Sequence, residues 1–147
     1  TLNVGVIRGG TVPNVVPDVC EAEVDLRVLQ PGEVERIQQA MLALRPVLDG
    51  TSVEVSGSLN RPPMPYNEIS RAAFNKAAAI ATSVLGIELK AGGSGGGSDG
   101  NFVAPLGVPV LDGMGAVGAE YHSEREFIFT ESLVERARLL AALLQNW

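Results

Sequence analysis

A run of prolines divides this chain and sets the strongest limit on its fold. Residues 60–65 read NRPPMP, with three prolines in four positions. Proline fixes φ and lacks the backbone N–H, so neither a helix nor the interior of a sheet continues through such a stretch. We therefore predict a hinge at 60–67 that separates a domain at 1–59 from a second one at 68–147.

The residues before the hinge predict a small sheet with one helix. Apolar residues alternate through 2–8, apart from Ile7, and through 19–29. A period of two predicts strands with one buried face. Helical spacing of Val34, Ile37, Met41 and Leu44 predicts a helix at 33–45, and further alternation predicts a strand at 51–59. The order β-β-α-β resembles a split βαβ, ferredoxin-like fold without its first strand and helix.

The residues after the hinge predict further α/β structure. In chain order we expect a helix at 68–85, a glycine- and serine-rich loop at 92–100, a buried strand at 108–111, a glycine-rich stretch at 113–118 and a helix at 131–145. The expected buried stripes are Ile69, Ala73, Ala77, Ile80 and Val84 on the first helix and Leu133, Ala137, Leu140 and Leu144 on the second. Thr130 is the predicted N-cap of the second helix.

Composition excludes several classes of partner. Hydrophobic residues make up 46% of the chain and charged residues 19%, as in a globular protein. No apolar run reaches the ~18 residues of a membrane helix, so no membrane partner is predicted. The net charge is -6 without a Lys/Arg cluster, which argues against nucleic acid. The single Cys20 excludes an intrachain disulfide. The chain opens on Thr1, without an initiator Met or a signal peptide, so we expect its natural start upstream.

His122 is the only histidine and a candidate metal ligand. It follows a glycine-rich stretch and precedes a short apolar run, and neutral imidazole binds zinc well. The alternative interpretation is a surface loop histidine that binds no metal, because such a residue has the same sequence surroundings. A zinc site needs at least three protein ligands, and no second histidine or cysteine pair completes one. We therefore expect this chain alone not to hold a catalytic zinc tightly and to be inactive.

The glycine tract at 92–100 admits three interpretations. Gly95, Gly97 and Gly100 match the dinucleotide fingerprint, but no βαβ unit surrounds them. The tract also resembles a flexible Gly/Ser linker. In the third interpretation its backbone N–H groups meet an anionic ligand at the start of a helix, with Ser98 and Asp99 as the cap.

Three polar residues in the first 61 positions are further candidates. Arg61 lies beside two prolines, where it is either solvated or held rigidly enough to grip a carboxylate. Asn14 follows Pro13 in a segment that cannot be a regular strand, so its amide either caps a turn or reaches a ligand. Arg27 lies on the polar face of the second predicted strand, where pairing with a nearby carboxylate is its structural explanation.

Four blocks in this order resemble one enzyme family. They are GGTVPNVVPDVCEAEVDLR at 9–27, NRPPM at 60–64, GGGSDGNFVAPLGVPVLDGMGAVG at 95–118 and EYHSEREFI at 120–128. The chain resembles the co-catalytic di-zinc peptidase and aminoacylase family, which includes glutamate carboxypeptidase, acetylornithine deacetylase and succinyl-diaminopimelate desuccinylase. The glutamate carboxypeptidase-like branch looks most similar.

The resemblance implies a role for each candidate residue. His122 matches the last zinc ligand. Asn14 and Arg61 match positions that bind the free carboxylate of the substrate, and Arg27 matches one that reaches substrate in some members. Gly96, Gly97 and Ser98 match a loop whose backbone donors meet the same carboxylate. For this reason we favour the third interpretation of the glycine tract.

The resemblance also implies a cofactor, partners and an architecture. Two zinc ions in the complete enzyme would activate a water that attacks the amide of an N-acyl amino acid or peptide substrate, with a glutamate moving the proton. Residues 1–59 would form a partial ferredoxin-like lid that pairs with a second copy in a homodimer. Residues 68–147 would form the C-terminal part of the α/β catalytic domain.

The departures from the family pattern leave two other functions open. The family's His-x-Asp ligand motif, bridging aspartate, Glu-Glu pair and lid histidine have no match in this sequence. We therefore expect a C-terminal portion of such an enzyme, with no catalytic residue of its own. The alternatives are a non-catalytic dimerisation module and a nucleotide-binding domain.

Overall fold

The computed structural model describes residues 1–147 and shows a mixed α/β chain of helices and two small sheets. The chain forms two compact units, Thr1–Pro63 and Met64–Trp147. The division between them falls inside the stretch 60–67, where three prolines interrupt regular structure. No helix combines the length and apolar character needed to cross a bilayer.

The first unit contains an antiparallel pair of strands, β1 (Leu2–Gly9) and β2 (Cys20–Leu26), as the alternation predicts. Their register shifts between Val4 and Val6. The shift places Ile7 opposite Ala22, on the same face as Val4, and turns Val6 to the face of Glu23. Ile7, the exception to the alternation of 2–8, is therefore explained by a bulge that keeps one face of the sheet apolar.

The helix of the first unit, α1, covers Gly32–Leu42. Val34, Ile37 and Met41 are half-buried, as their spacing predicts. The helix ends three residues earlier than predicted, and Leu44 lies beyond it, 48% exposed. A hydrogen bond from the Arg36 side chain lowers the pKa of the Glu33 carboxyl in the first turn.

The prediction of a strand at 51–59 is wrong, because these residues pair with no other strand. Gly57 has φ +142°, a conformation that a regular strand does not contain. Val55 is half-buried while Val53 stays 47% exposed. The apolar alternation therefore did not indicate whether a pairing partner exists.

The second unit is built on α2 (Glu68–Ile80), as predicted, followed by a π-helical turn at Ala81–Leu85 and ended by Gly86 at φ +69°. Asn67 caps α2, since its Oδ1 accepts from the Ser70 N–H at 3.0 Å. The core lies between this helix and α4 (Thr130–Asn146). Its buried members are Ala77, Ile80, Ala81, Leu139, Ala142 and Leu143.

The predicted core face of α4 is wrong. Leu139, Ala142 and Leu143 are buried, whereas the predicted Leu133, Leu140 and Leu144 are exposed. The second half of this helix is apolar on most sides, so helical spacing fits both faces equally well. Thr130 is also not the cap, because it lies inside the helix and Phe129 takes the N-cap position.

The predicted strand at 108–111 does not form either. Leu111 packs against the core of the second unit and Val110 is half-buried, but Val108 stays 47% exposed. Before this segment the chain forms a short helix, α3 (Gly100–Val103), and a 3₁₀ turn at Ala104–Leu106. After it come two paired two-residue strands, β3 (Gly118–Ala119) and β4 (Phe127–Ile128). A short apolar run thus predicts contact with a core and leaves the element type open.

Candidate functional site

A short hairpin presents the single histidine. Gly118 pairs with Ile128 and Ala119 with Phe127, and the loop between the two strands holds residues 120–126. A side chain at position 118 has no room, because a Cβ there would run into the carbonyl oxygen of Phe127. Glycine is therefore required where the two strands approach each other most closely.

The base of this hairpin is tied to the first turn of α4. Ser132, 8% exposed, accepts a hydrogen bond on its Oγ from the Val117 N–H at 2.9 Å and donates to the Phe129 carbonyl at 2.6 Å. The Phe129 N–H donates in turn to the Val117 carbonyl at 2.8 Å. The Phe127 and Phe129 rings meet edge to face at 5.2 Å. The strand ends that carry the loop are thus fixed to a helix of the core.

The loop at 120–126 is shaped by its own hydrogen bonds. The Glu120 carbonyl accepts from the Ser123 N–H at 3.2 Å and from its hydroxyl at 2.7 Å. The Ser123 Oγ accepts from the Arg125 N–H at 3.1 Å, and Arg125 Nη2 lies 3.2 Å from Glu120 Oε2. The Tyr121 hydroxyl donates to the Gly118 carbonyl at 2.9 Å. Together these bonds define one compact turn.

His122 lies at the tip of this turn in an uncommon backbone conformation. Its φ is 65°, and Glu120 has φ 59°; they are the two non-glycine residues with positive φ. Side chains with a Cβ avoid this region, and residues held there concentrate at functional sites. The His122 N–H donates to Glu126 Oε2 at 3.1 Å, and the residue is exposed. The backbone of His122 is thus held by a hydrogen bond, while the residue stays exposed to solvent.

His122 has too few metal-ligating side chains grouped with it to form a metal site. No group of three or more His, Cys, Asp or Glu side chains in the chain could hold a metal ion. A zinc centre takes at least three protein ligands. These residues therefore do not form such a centre by themselves.

The glycine loop ahead of α3 is also held by side-chain oxygens. The Gly96 N–H donates to Ser94 Oγ at 3.0 Å, and the Ser98 N–H donates to Asn101 Oδ1 at 2.8 Å. The Ser98 hydroxyl accepts from the Gly100 N–H at 3.1 Å, which is the capping contact expected of Ser98. The Asp99 side chain makes no capping hydrogen bond, so that half of the predicted cap is wrong. Two of the three residues predicted to meet a carboxylate thus have their N–H groups engaged within the loop.

The remaining candidates lie in the first unit. Asn14 is exposed in a turn next to an open depression of about 430 Å³ lined by residues 9–13, 15 and 17. Arg27 donates from Nε to Asp25 Oδ2 at 2.8 Å, the carboxylate pairing that explains it structurally. Arg61 is exposed two residues before the end of the unit. The seven candidates are thus divided, with three in the first unit and four, Gly96, Gly97, Ser98 and His122, in the second.

Sequence reasoning missed two residues that support His122. Glu126 contacts its backbone, and Ser132 holds the hairpin base. An acidic residue four positions after a loop histidine is a local signal for the first. Nothing local signals the second, because Ser132 accepts from a residue fifteen positions away.

The sequence of this chain matches a known family along almost its whole length. Residues 3–146 match the peptidase family M20/M25/M40, and the chain belongs to this family. This confirms the resemblance to the zinc peptidases and aminoacylases found from the four sequence blocks. Members of this family are generally metal-dependent.

Several curated proteins are similar to the chain. An uncharacterized protein of Bacillus subtilis, YqjE, is 31% identical over 99% of this chain and 39% of its own length. Carboxypeptidase G2 of a Pseudomonas species is 25% identical over 96% of this chain and 35% of its own length. Succinyl-diaminopimelate desuccinylase of Methylococcus capsulatus is 31% identical over 95% and 36%. The chain thus spans less than two fifths of the length of these relatives, and no solved structure matches it.

Proposed function

We propose that the full-length protein is a metal-dependent amidohydrolase that cleaves an amide bond next to a free carboxylate, in the manner of a glutamate carboxypeptidase. The observation that carries the proposal is the exposed His122, held at a hairpin tip in a left-handed conformation within a sequence of the M20/M25/M40 family. One relative is named a carboxypeptidase and another a desuccinylase.

In this proposal His122 supplies one nitrogen ligand to a zinc centre. The other ligands and the general base come from parts of the longer protein outside these 147 residues. Bound zinc lowers the pKa of a coordinated water and polarises the amide carbonyl. The contribution of this chain is an imidazole whose backbone is fixed by the hairpin before metal binds.

The second contribution of the chain is recognition of the substrate carboxylate. We propose substrate-binding roles for Arg61 and Asn14 of the first unit and, as a separate proposal, for the backbone donors of the loop at 96–98 in the second unit. A carboxylate that binds this loop replaces Ser94 Oγ and Asn101 Oδ1 as the acceptor of two N–H groups. An ionised acceptor makes hydrogen bonds roughly twice as strong as a neutral one, so the exchange favours the ligand. We propose a smaller role in substrate binding for Arg27 than for Arg61, because the Arg27 Nε donates to Asp25.

An exposed apolar face on the first unit supports the proposal that this unit is a dimerising lid domain. Leu2, Val4 and Ile7 lie on the apolar face of the β1–β2 sheet and are 59%, 45% and 68% exposed. A contiguous exposed apolar face typically marks a contact surface. We propose that residues 1–59 contribute to a homodimer and that 68–147 form part of the catalytic domain. A monomeric full-length protein in sedimentation equilibrium contradicts the first assignment.

The test of the function is hydrolysis by the intact gene product. We expect zinc-dependent cleavage of N-acyl-glutamate or dipeptide substrates that is lost with a chelator and restored by zinc. Blocking the substrate carboxylate as its amide should abolish cleavage if the protein recognises that group. The absence of any hydrolysis, or hydrolysis that is indifferent to chelator, refutes the proposal.

A non-catalytic dimerisation module is the second candidate, favoured by the exposed apolar face of β1–β2. It predicts a full-length protein that dimerises but hydrolyses none of these substrates with zinc present. The two measurements together therefore distinguish the two functions.

A further inference from the structure

Glu126 is the group that contacts the backbone of the candidate metal ligand. Its Oε2 lies 3.1 Å from the His122 nitrogen and accepts its N–H. We propose that Glu126 is a positioning residue, which keeps His122 in its left-handed conformation and thereby sets the direction of the imidazole. The inference rests on the proposed role of His122 as a metal ligand and deepens it.

The backbone of Glu126 is held in place by its neighbours in the hairpin. Residue 127 begins β4 and pairs with Ala119, so the backbone next to Glu126 is held by the sheet. The Glu126 N–H also donates to the Ser123 carbonyl at 3.1 Å. Glu126 is thus anchored on the strand side of the loop, whereas His122 lies at its tip.

The other polar groups of the loop hold its ends together without contacting His122. Arg125 pairs with Glu120, and the Ser123 hydroxyl links the Glu120 carbonyl to the Arg125 N–H. These contacts close the turn around the histidine. The backbone N–H of His122 itself is bound by Glu126 alone.

The expected effect follows from the backbone preference of residues with a Cβ. A left-handed residue is intrinsically disfavoured by roughly five- to thirtyfold against the right-handed region. The bond to Glu126 opposes that preference, because it forms with the N–H in the position that φ 65° gives it. Without the acceptor we expect the binding-competent conformation to be depleted and zinc affinity to fall by about tenfold.

The test uses four variants of the full-length protein and measures zinc affinity by competition with a chromophoric chelator. E126A removes the acceptor, and E126D keeps the charge on a side chain too short to reach the His122 N–H. E126Q keeps an oxygen acceptor without the charge. Glu124→Ala is the matched control, because Glu124 is an exposed carboxylate of the same loop. Thermal unfolding of each variant establishes that it is folded.

We expect about tenfold weaker zinc binding in E126A and E126D and affinity within about twofold of the wild type in E126Q and E124A. Unchanged affinity in E126A overturns the inference. So does retention in E126D with loss in E126Q, which would assign the effect to charge instead of the hydrogen bond. If E126A does not fold, the comparison of E126D with E126Q decides in the same way.

A fifth variant, H122A, distinguishes failure of the inference from failure of the proposed function. Loss of zinc affinity in H122A with full affinity in E126A and E126D leaves His122 as a ligand and removes the role of Glu126. Full zinc affinity in H122A removes the ligand itself, and the inference fails with it.

Discussion

Replacing Gly118 by alanine tests how the hairpin that carries His122 is built. The new Cβ would collide with the carbonyl oxygen of Phe127 and lie 3.2 Å and 3.3 Å from Cγ2 and Cα of Ile128. The obstacle is mainly backbone of the paired strand, so no change of side-chain rotamer relieves it. The strands have to separate, and separation breaks a ladder of only two residue pairs.

The cost of Gly118→Ala can be estimated from the effects of overpacking. Forcing extra atoms into a packed site destabilises a protein by about 1–3 kcal/mol, and a backbone collision lies toward the upper end of that range. We expect a loss of about 3 kcal/mol in the free energy of unfolding, measured by urea titration of the full-length protein. Zinc affinity should fall as well, because the loop loses its base.

Gly115→Ala is the matched control for this experiment. It lies in the same glycine-rich stretch, has no positive φ, and its Cβ would meet nothing within 4 Å. We expect a change within about 0.5 kcal/mol. Equal effects of the two substitutions would show that close approach of the strands at Gly118 does not govern the hairpin.

Three further substitutions test other contacts. Ser132→Ala should cost about 1–3 kcal/mol in urea unfolding, because it leaves the Val117 N–H without its acceptor; an unchanged unfolding midpoint would contradict this. Asn67→Ala should cost about 1 kcal/mol, since the Ser70 N–H loses its cap; a rise in thermal stability would be the opposite outcome. Arg61→Ala should weaken substrate binding by about 1.5–3 kcal/mol, seen in KM, with zinc content unchanged; identical kinetics would remove its assigned role.

Local sequence patterns predicted the elements that have a clear hydrophobic period. The alternation of 19–29 and the helical spacing of 68–85 each identified one element by its period. Burial follows the period less closely, since β2 is mostly exposed and Ile69 and Val84 of the predicted helical stripe are 40% and 51% exposed. The bulge that turns Ile7 to the apolar face of the sheet was visible only as an irregularity in the alternation, since a register shift depends on the partner strand. The stretch 51–59 has an alternating pattern but pairs with no strand, which shows again that a pattern within one segment does not reveal its partner.

The candidate site was predictable in its residue types and not in its contacts. His122 stood out as the only histidine within a recognisable block. Its positive φ and its bond to Glu126 depend on how seven loop residues fold on each other, which no periodicity records. On α4, two apolar stripes competed, and only packing against Ile80 and Ala81 selects Leu139 and Leu143.

The turn around His122 joins residues that are close in sequence. Its hydrogen bonds connect positions at most five apart, such as Arg125 with Glu120. Closing so short a segment costs little chain entropy, and contacts of this kind form early when a polypeptide folds. The conformation of the loop that carries His122 is therefore determined largely by contacts between residues close in sequence.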